Sequence, residues 1–188
     1  MNDLQLWQKL RSGDQTAFKI IYDTHARGLA TYARKFTGDA ELIEDSIHDL
    51  FVSVWQKRES LSDTDSIIRY MCVSLRREII RRLNKSTQVT SFDYAENKDI
   101  DFALSVEDMM IKDEIEKDKQ VRLKQAFTEL SSRQREAIFL KYYQEMSYEQ
   151  ICEVMDINYQ SVRNLISKGI SDLKRIIGLI IILLSLNL

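Results

Sequence analysis

The side chains best suited to chemistry lie on a predicted helix that begins near Asn158 or Tyr159. Its apolar positions, Val162, Ile166, Ile170 and Leu173, recur at helical spacing. The opposite face presents hydrogen-bonding and cationic side chains of the types that reach base edges and phosphates in DNA. These are Tyr159, Gln160, Ser161, Arg163, Asn164, Ser167 and Lys168. The alternative is an ordinary amphipathic helix with a solvated polar face.

A second helix is predicted just before this one. Ser147 and Gln150 have the spacing of a capping box, in which each side chain bonds the other residue's backbone N–H. A turn is expected at 155–157, where Asp156 tolerates the left-handed conformation better than most residues. The two helices and their turn together predict a helix-turn-helix, which lays its second helix in the DNA major groove.

Two carboxylates lie four residues apart on another predicted helix, which begins after Asp39. Asp45 and Asp49 project from one face, opposite the apolar side that carries Ile47 and Phe51. No basic residue of the same face accompanies them, so the spacing favours a positively charged binding partner. Ordinary solvation of two surface carboxylates is the alternative.

Charge is distributed unevenly along the chain, although its net charge is only −2. Residues 66–85 contain six basic side chains against one acid, Glu78, and residues 86–119 contain ten acids against four lysines. The pattern indicates a phosphate-binding helix followed by an acidic connector that nucleic acid would avoid. Two solvated segments without a ligand are the alternative.

The composition predicts an all-α protein. The chain has 188 residues, no proline and five glycines, so few residues interrupt its helical periods. A first helix is expected over Asp3–Leu10 and a second after Asp14, with Tyr22 among its inward residues and Gly38 supplying a left-handed end. Cys72 and Cys152 lie within helical patterns, which argues against a disulfide framework. We expect no catalytic residues, no metal site and no cofactor.

Several motifs follow one another in a recognisable order. GDQTAFKIIY, IEDSIHDLFVSVWQKR and LSSRQREAIFLKYYQEMSYEQI resemble the extracytoplasmic-function (ECF) sigma factors of the sigma-70 family, over roughly Trp7 to Arg175. The resemblance implies two helical domains joined by a flexible acidic linker. It places a region 2 bundle at 1–85, the linker at 86–104, a region 4 helix-turn-helix at 105–175 and an apolar tail at 176–188.

The resemblance also implies a function. Such proteins bind the bacterial RNA polymerase core, direct it to promoter DNA and are held inactive by anti-sigma factors. It places polymerase binding at Asp45, His48 and Asp49, and −35 recognition on the face that begins at Tyr159. Recognition and melting of the −10 element fall to the basic helix, at Arg69, Tyr70, Arg76, Arg77, Arg81 and Arg82. Base capture falls to the preceding loop, at Ser60, Ser62, Asp63 and Thr64.

The terminal residues 176–188 are almost wholly apolar but too short for the roughly 20 residues of a membrane-spanning helix. Packing on the C-terminal module, docking of a partner and weak membrane association are the three alternatives. The chain opens without a basic start and apolar run, so a cytoplasmic protein is expected. Two other functions stay open: a helix-turn-helix regulator that acts without polymerase docking, and a helical membrane-associated adaptor supported by the tail alone.

Overall fold

A computed structural model describes residues 2–87 and 126–185 of the chain, with side chains specified at 2–85 and 126–177. The chain divides into two compact units, Met1–Phe92 and Asp93–Leu188. Every regular element in the described residues is helical, which confirms the predicted all-α class. The predicted linker at 86–104 and the helical pattern from 105 to 125 lie outside the described residues.

The first unit is a bundle of four helices in chain order. They are α1 (Asp3–Arg11), α2 (Gln15–Ala33), α3 (Ala40–Gln56) and α4 (Ile67–Thr87). A 3₁₀ turn at Arg58–Ser60 follows α3, and the loop 61–66 joins it to α4.

The second unit carries three complete helices in its described part. Residues 126–128 are helical, and α5 (Ser132–Tyr142), α6 (Tyr148–Met155) and α7 (Tyr159–Ser185) follow. α7 is a single helix of 27 residues, so the terminal apolar segment continues the last helix as far as Ser185.

Side-chain caps begin most of these helices where the sequence predicts. Asp14 accepts from the N–H of Thr16 at 2.8 Å, and Asp39 accepts from the N–H of Leu42 at 3.1 Å. Ser131 and Ser147 each form a complete capping box with the glutamine three residues later. Each cap satisfies backbone donors that have no partner within the helix.

The ends of α1 and α2 differ from one another. Gly13 follows α1 at φ +87°, a conformation that side chains disfavour. The expected left-handed end at Gly38 is wrong, because α2 ends at Ala33 and its C-cap, Arg34, is right-handed. Residues 34–36 form a turn in which Phe36 is buried, and Gly38 follows this turn.

The core of the first unit is formed by the predicted apolar faces. Its largest fully buried side chains are Trp7, Leu10, Ile21, Leu29, Tyr32, Ile67, Met71, Leu75 and Ile79. Cys72 is fully buried among them as a free thiol. Tyr22 is the exception, since 47% of its surface is exposed. It lies at the rim of the α2–α3 contact, where its ring packs 4.8 Å from that of Phe51.

One apolar cluster of the second unit joins the residues before α5 to the middle of α7. It contains Ala126, Phe127, Leu130, Ile138 and Leu173, with Ile170, Ile176 and Ile177 packed against it. The start of the apolar tail is therefore covered by its own unit. Within residues 2–87 and 126–185, no helix is long and apolar enough to cross a membrane.

Gly169 lies where α7 passes close to α5. A Cβ atom at this position would approach Ile138 Cδ1 to 2.8 Å and Gln134 Cβ to 3.4 Å. Gln134 also donates from Nε2 to Asp172 Oδ2 at 3.0 Å, which holds the same two helices together. The glycine weakens the helix by about 1 kcal/mol relative to alanine, but it permits this close approach.

We therefore expect Gly169→Ala to destabilise the second unit by about 1 kcal/mol, because overpacking a core costs about 1–3 kcal/mol and outweighs the gain in helix propensity. Gly38→Ala is the control, since nothing lies within 4 Å of its added Cβ. The control should be neutral or slightly stabilising. Urea unfolding measures both, and a more stable Gly169→Ala protein would contradict the packing explanation.

Candidate nucleic-acid and protein interfaces

The acidic face of α3 is exposed as the sequence predicts. Asp45, His48 and Asp49 all lie on the solvent side of this helix. The Asp45 and Asp49 side chains are 67% and 61% exposed. Both carboxylates are therefore accessible to a second molecule.

A cation nevertheless accompanies them, contrary to the sequence prediction. Arg82 of α4 reaches across to α3, where Nη2 donates to Asp49 Oδ2 and Nη1 lies 3.9 Å from Asp45 Oδ2. These partners are more than 30 residues apart in sequence, so no helical spacing reveals the contact. Before any partner binds, Arg82 therefore neutralises part of the negative charge of the acidic face.

Glu78 completes this ion-pair cluster from α4. It accepts from Arg81 Nη2 at 2.6 Å and from Arg82 Nε at 2.7 Å. The hydrogen bond from Arg81 is the main cause that holds the pKa of Glu78 below its usual value, and Arg82 adds to the effect. The same hydrogen bond from Arg82 raises the pKa of that guanidinium. Glu78 therefore fixes Arg82 in the orientation that faces α3.

The predicted −10 residues of α4 do not form one surface. Arg76 is only 8% exposed, Arg69 pairs with Asp65 at 2.6 Å, and Arg82 faces α3. Their inclusion in a single phosphate-binding face is not supported by these positions, because basic side chains also serve packing and ion pairing. Arg77 and Arg81 are exposed four residues apart, and Arg81 stays 56% exposed although it pairs with Glu78.

Lys85 extends this pair by a further helical step; it is one of the six basic residues of 66–85 but not one of the predicted −10 residues. The positions 77, 81 and 85 are spaced by four, so the three cations form an exposed stripe along α4. The helical spacing could have separated this stripe from Arg76 and Arg82. We call Arg77, Arg81 and Lys85 the cationic stripe.

The loop 61–66 is held against the bundle. Thr64 is buried, its hydroxyl donating to the carbonyl of Ser66 at 3.0 Å and accepting from the Ser66 N–H at 3.2 Å. A buried Thr64 is a poor candidate for base capture, unlike the exposed Ser60, Ser62 and Asp63. Tyr70 is half-buried, and its ring packs 5.0 Å from that of Trp7.

The helix-turn-helix has the predicted geometry. Asp156 ends α6 in the left-handed conformation, at φ +55° and ψ +51°. Asn158 then accepts from the N–H of Ser161 at 2.8 Å, which fixes the start of α7. Val162 and Ile166 are buried on its inner face.

The outer face of α7 presents the predicted side chains. Ser161 is half-buried, and the exposed ones are Tyr159, Gln160, Arg163, Asn164, Ser167 and Lys168. Gln160 donates to Asn164 at 2.9 Å, and the Tyr159 ring packs 5.5 Å from that of Tyr148. The face therefore offers amide, hydroxyl and cationic groups in a row suited to a groove of DNA. In residues 2–87 and 126–185, no group of three or more His, Cys, Asp or Glu side chains could hold a metal ion.

Family comparisons match each of the two units to a known domain. Residues 21–88 match the model of sigma-70 region 2, and residues 120–173 match that of sigma-70, region 4. Together these ranges span more than half of the chain. The chain belongs to the sigma-70 family. Its relatives place it among the ECF sigma factors, as the sequence motifs predict.

Curated relatives cover nearly the whole length of this sigma factor. It is 25% identical over 179 residues to the ECF RNA polymerase sigma factor SigK of Mycobacterium sp. (strain JLS), covering 93% of this chain and 90% of the relative. It is 23% identical over 175 residues to the RNA polymerase sigma factor NccH of Alcaligenes xylosoxydans xylosoxydans, covering 89% of this chain and 90% of the relative.

Two solved structures share the fold. CnrH in complex with the cytosolic domain of CnrY is similar at a TM-score of 0.62 and 18% identity, covering 94% of this chain and 97% of that one. The sigma factor RpoE in complex with the anti-sigma factor NepR, from Bartonella quintana, is similar at 0.61 and 18% identity, covering 86% of this chain and 96% of that one.

The ion-pair cluster predicts a dependence of stability on pH. The pKa of Glu78 is lowered in the folded protein, so its contribution is present above the ordinary value of 4.5 and is lost as pH falls through the folded value. Glu78→Gln should therefore be less stable near neutral pH and should lose less stability on acidification. Urea unfolding from neutral pH to about pH 3 checks this expectation. Equal losses in both proteins would contradict it.

Proposed function

We propose that this sigma factor binds the RNA polymerase core through the acidic face of α3 and brings it to promoter DNA through α4 and α7. The observation that carries the proposal is the adjacency of opposite charges within the first unit. The acidic face of α3 is exposed. α3 packs against α4, whose cationic stripe is also exposed. One face suits a protein of positive charge and the other suits nucleic acid.

The docking face consists of Asp45, His48 and Asp49. Its carboxylates are partly neutralised by Arg82, and a basic surface of the polymerase would compete with that guanidinium. His48 adds a group that donates or accepts a hydrogen bond at the centre of the face. Docking therefore replaces the ion pair of Arg82 with these carboxylates by an ion pair with the polymerase. The affinity for the core depends on the difference in free energy between the two ion pairs.

Contact with the −10 element falls to the cationic stripe and the loop before α4. Arg77, Arg81 and Lys85 follow one face at intervals suited to successive phosphates of a strand. Arg69, Tyr70, Arg76 and Arg82 act behind this face, through packing and ion pairs. Ser62 and Asp63 of the loop, and Ser60 of the 3₁₀ turn before it, are the exposed side chains in reach of an extruded base, and Asp63 also pairs with Arg11.

The −35 element is read by α7. Arg163 and Lys168 supply the charge of its outer face, and Gln160, Asn164 and Ser167 supply hydrogen bonds to bases or phosphates. Tyr159 and Ser161 stand at the start of the helix, where contacts to phosphate position a recognition helix. The functional domains are then 1–85 for polymerase and −10 contacts and 105–175 for the −35 contact, with 86–104 as an acidic linker.

The remaining properties follow from this role. The chain assembles a polymerase complex and performs no catalysis, so it requires no cofactor. It acts in the cytoplasm, where core polymerase and promoter DNA are found. An anti-sigma factor is a third partner, a proposal supported by the similar fold of RpoE, which is bound to the anti-sigma factor NepR. Docking of such a partner on the apolar tail at 176–188 stays a prediction from the sequence.

Charge reversal at Asp45 tests the docking face. Asp45 lies farther from Arg82 than Asp49 does, so Asp45→Lys perturbs the fold least. Because a lysine would face the positive surface of the polymerase, we expect core affinity to fall at least about tenfold. Asp23→Lys is the matched control, an exposed carboxylate of α2 that pairs with the exposed Lys19. Affinity is measured by titration of fluorescent sigma factor with core polymerase.

The two variants change the net charge equally, so long-range electrostatic effects cancel between them. Equal affinities of the Asp45→Lys and Asp23→Lys proteins would exclude the acidic face of α3 as the docking surface. Thermal unfolding of both proteins shows whether the bundle remains intact.

Removal of Arg163 tests the recognition helix. If Arg163 bonds a base edge, Arg163→Ala should weaken promoter binding by about 1–3 kcal/mol and relax specificity at one base pair. If it contacts phosphate alone, binding should weaken evenly and the salt slope should fall by about one. Lys174→Ala is the control, because it removes the same charge about 16 Å farther along α7. Holoenzyme binding to −35 variants at several salt concentrations separates these outcomes, and identical behaviour of both variants would contradict the assignment.

A further inference from the structure

We propose that α1 is a clamp for the loop 61–66, and that Asp3, Trp7 and Arg11 are positioning residues for reading the −10 element. The inference rests on the proposed function, because that function gives the loop its contact with promoter bases. α1 itself need not touch DNA. Its role is to fix the loop backbone before a base arrives.

Trp7 makes the central contact. Its side chain is fully buried, and its indole Nε1 donates to the carbonyl of Ser62 at 2.9 Å. The same ring packs 5.0 Å from the ring of Tyr70, near the start of α4. One side chain therefore fixes both the loop and the helix that follows it.

Two charged residues of α1, on either side of Trp7, add contacts with the residues after Ser62. Arg11 forms an ion pair and hydrogen bond with Asp63. Asp3 Oδ2 accepts from the N–H of Ile67 at 2.8 Å, at the residue where α4 begins. Together with the Trp7 contact, they secure the loop at 62 and 63 and the start of α4 at 67, and all three contacts originate within the nine residues of α1.

The loop adds its own turn between these points. Thr64 and Ser66 exchange two hydrogen bonds, and Ser66 Oγ accepts from the N–H of Arg69. The side chains of Ser62, Asp63 and Asp65 remain exposed on this fixed backbone. Selection of one base over another requires such groups to be held in place, because ordering them upon binding would consume binding free energy.

The simpler explanation is that α1 contributes only to the core, through Leu6, Trp7 and Leu10. The two explanations predict different results for Trp7→Phe. The phenyl ring can keep the aromatic packing against Tyr70, but it cannot donate to the carbonyl of Ser62. A core role predicts lower stability alone, whereas the clamp predicts a change in preference at the −10 element.

The experiment uses core polymerase from the bacterium that encodes the chain and a promoter library randomised over both the −35 and −10 elements. Holoenzymes with wild-type and Trp7→Phe sigma factor select DNA from this library, and sequencing gives the base preference at each position. We expect the −10 discrimination ratios of Trp7→Phe to fall about three- to tenfold, the effect of one lost hydrogen bond. Core affinity and −35 preference should be unchanged.

Ile79→Val is the matched control. Ile79 is fully buried in α4 and its side chain cannot form a hydrogen bond to the loop, so its truncation reduces core packing while the clamp contacts stay in place. Its base preferences should match those of the wild type at both elements. If Trp7→Phe does not fold, Arg11→Met removes the contact with Asp63 from a partly exposed position and should reduce −10 discrimination in the same way.

Unchanged −10 preferences in the folded variant would overturn the clamp, as would an equal loss of preference at the −10 and −35 elements. Both results leave the proposed function in place, because the wild-type holoenzyme still selects promoters. Failure of the wild-type protein to bind core polymerase or to select any DNA would instead overturn the proposed function, and the clamp with it.

Discussion

The start of each helix is the constraint on which the surfaces of this protein depend. Asp14, Asp39, Ser131 and Ser147 cap helices with side-chain oxygens, and each cap fixes the residue at which helical rotation begins. The buried apolar stripe of each helix then fixes its rotation, because turning α3 by one residue, about 100°, would move Ile47 and Phe51 out of the core. Asp45 and Asp49 would then leave the solvent face of α3. The caps and the apolar stripes together therefore determine which side chains face a partner.

Local features of the fold could be read from the sequence because their causes are local. The capping boxes, the left-handed Asp156 and the buried face of α7 all depend on residues within one or two helical turns of each other. The same spacing correctly placed Asp45 and Asp49 on an exposed face. Tyr22 was misplaced because its position at the rim of α2 depends on how far α3 covers it.

Contacts between residues far apart in the sequence could not be predicted from local spacing. Residue type marked Arg76 and Arg82 as cations for DNA, but one is buried and the other is turned to α3 by Asp49 and Glu78. Helical spacing separates Arg76 and Arg82 from the cationic stripe, but it does not show which residues of another helix they meet. The contact between Trp7 and Ser62 spans 55 residues and was equally invisible to helical periodicity.

The uninterrupted length of α7 converts a small change in its tilt into a displacement of its DNA-facing end. Its 27 residues extend about 40 Å, from the groove-facing side chains near Tyr159 to the apolar end near Ser185. The packing of Ile176 and Ile177 lies about 26 Å from Tyr159 along α7, so a tilt of about 5° about that point would displace the groove-facing end by about 2 Å. This displacement is more than half the rise of one base step along a DNA strand. The packing of α7 against its own unit therefore limits the error with which its outer face meets a given base.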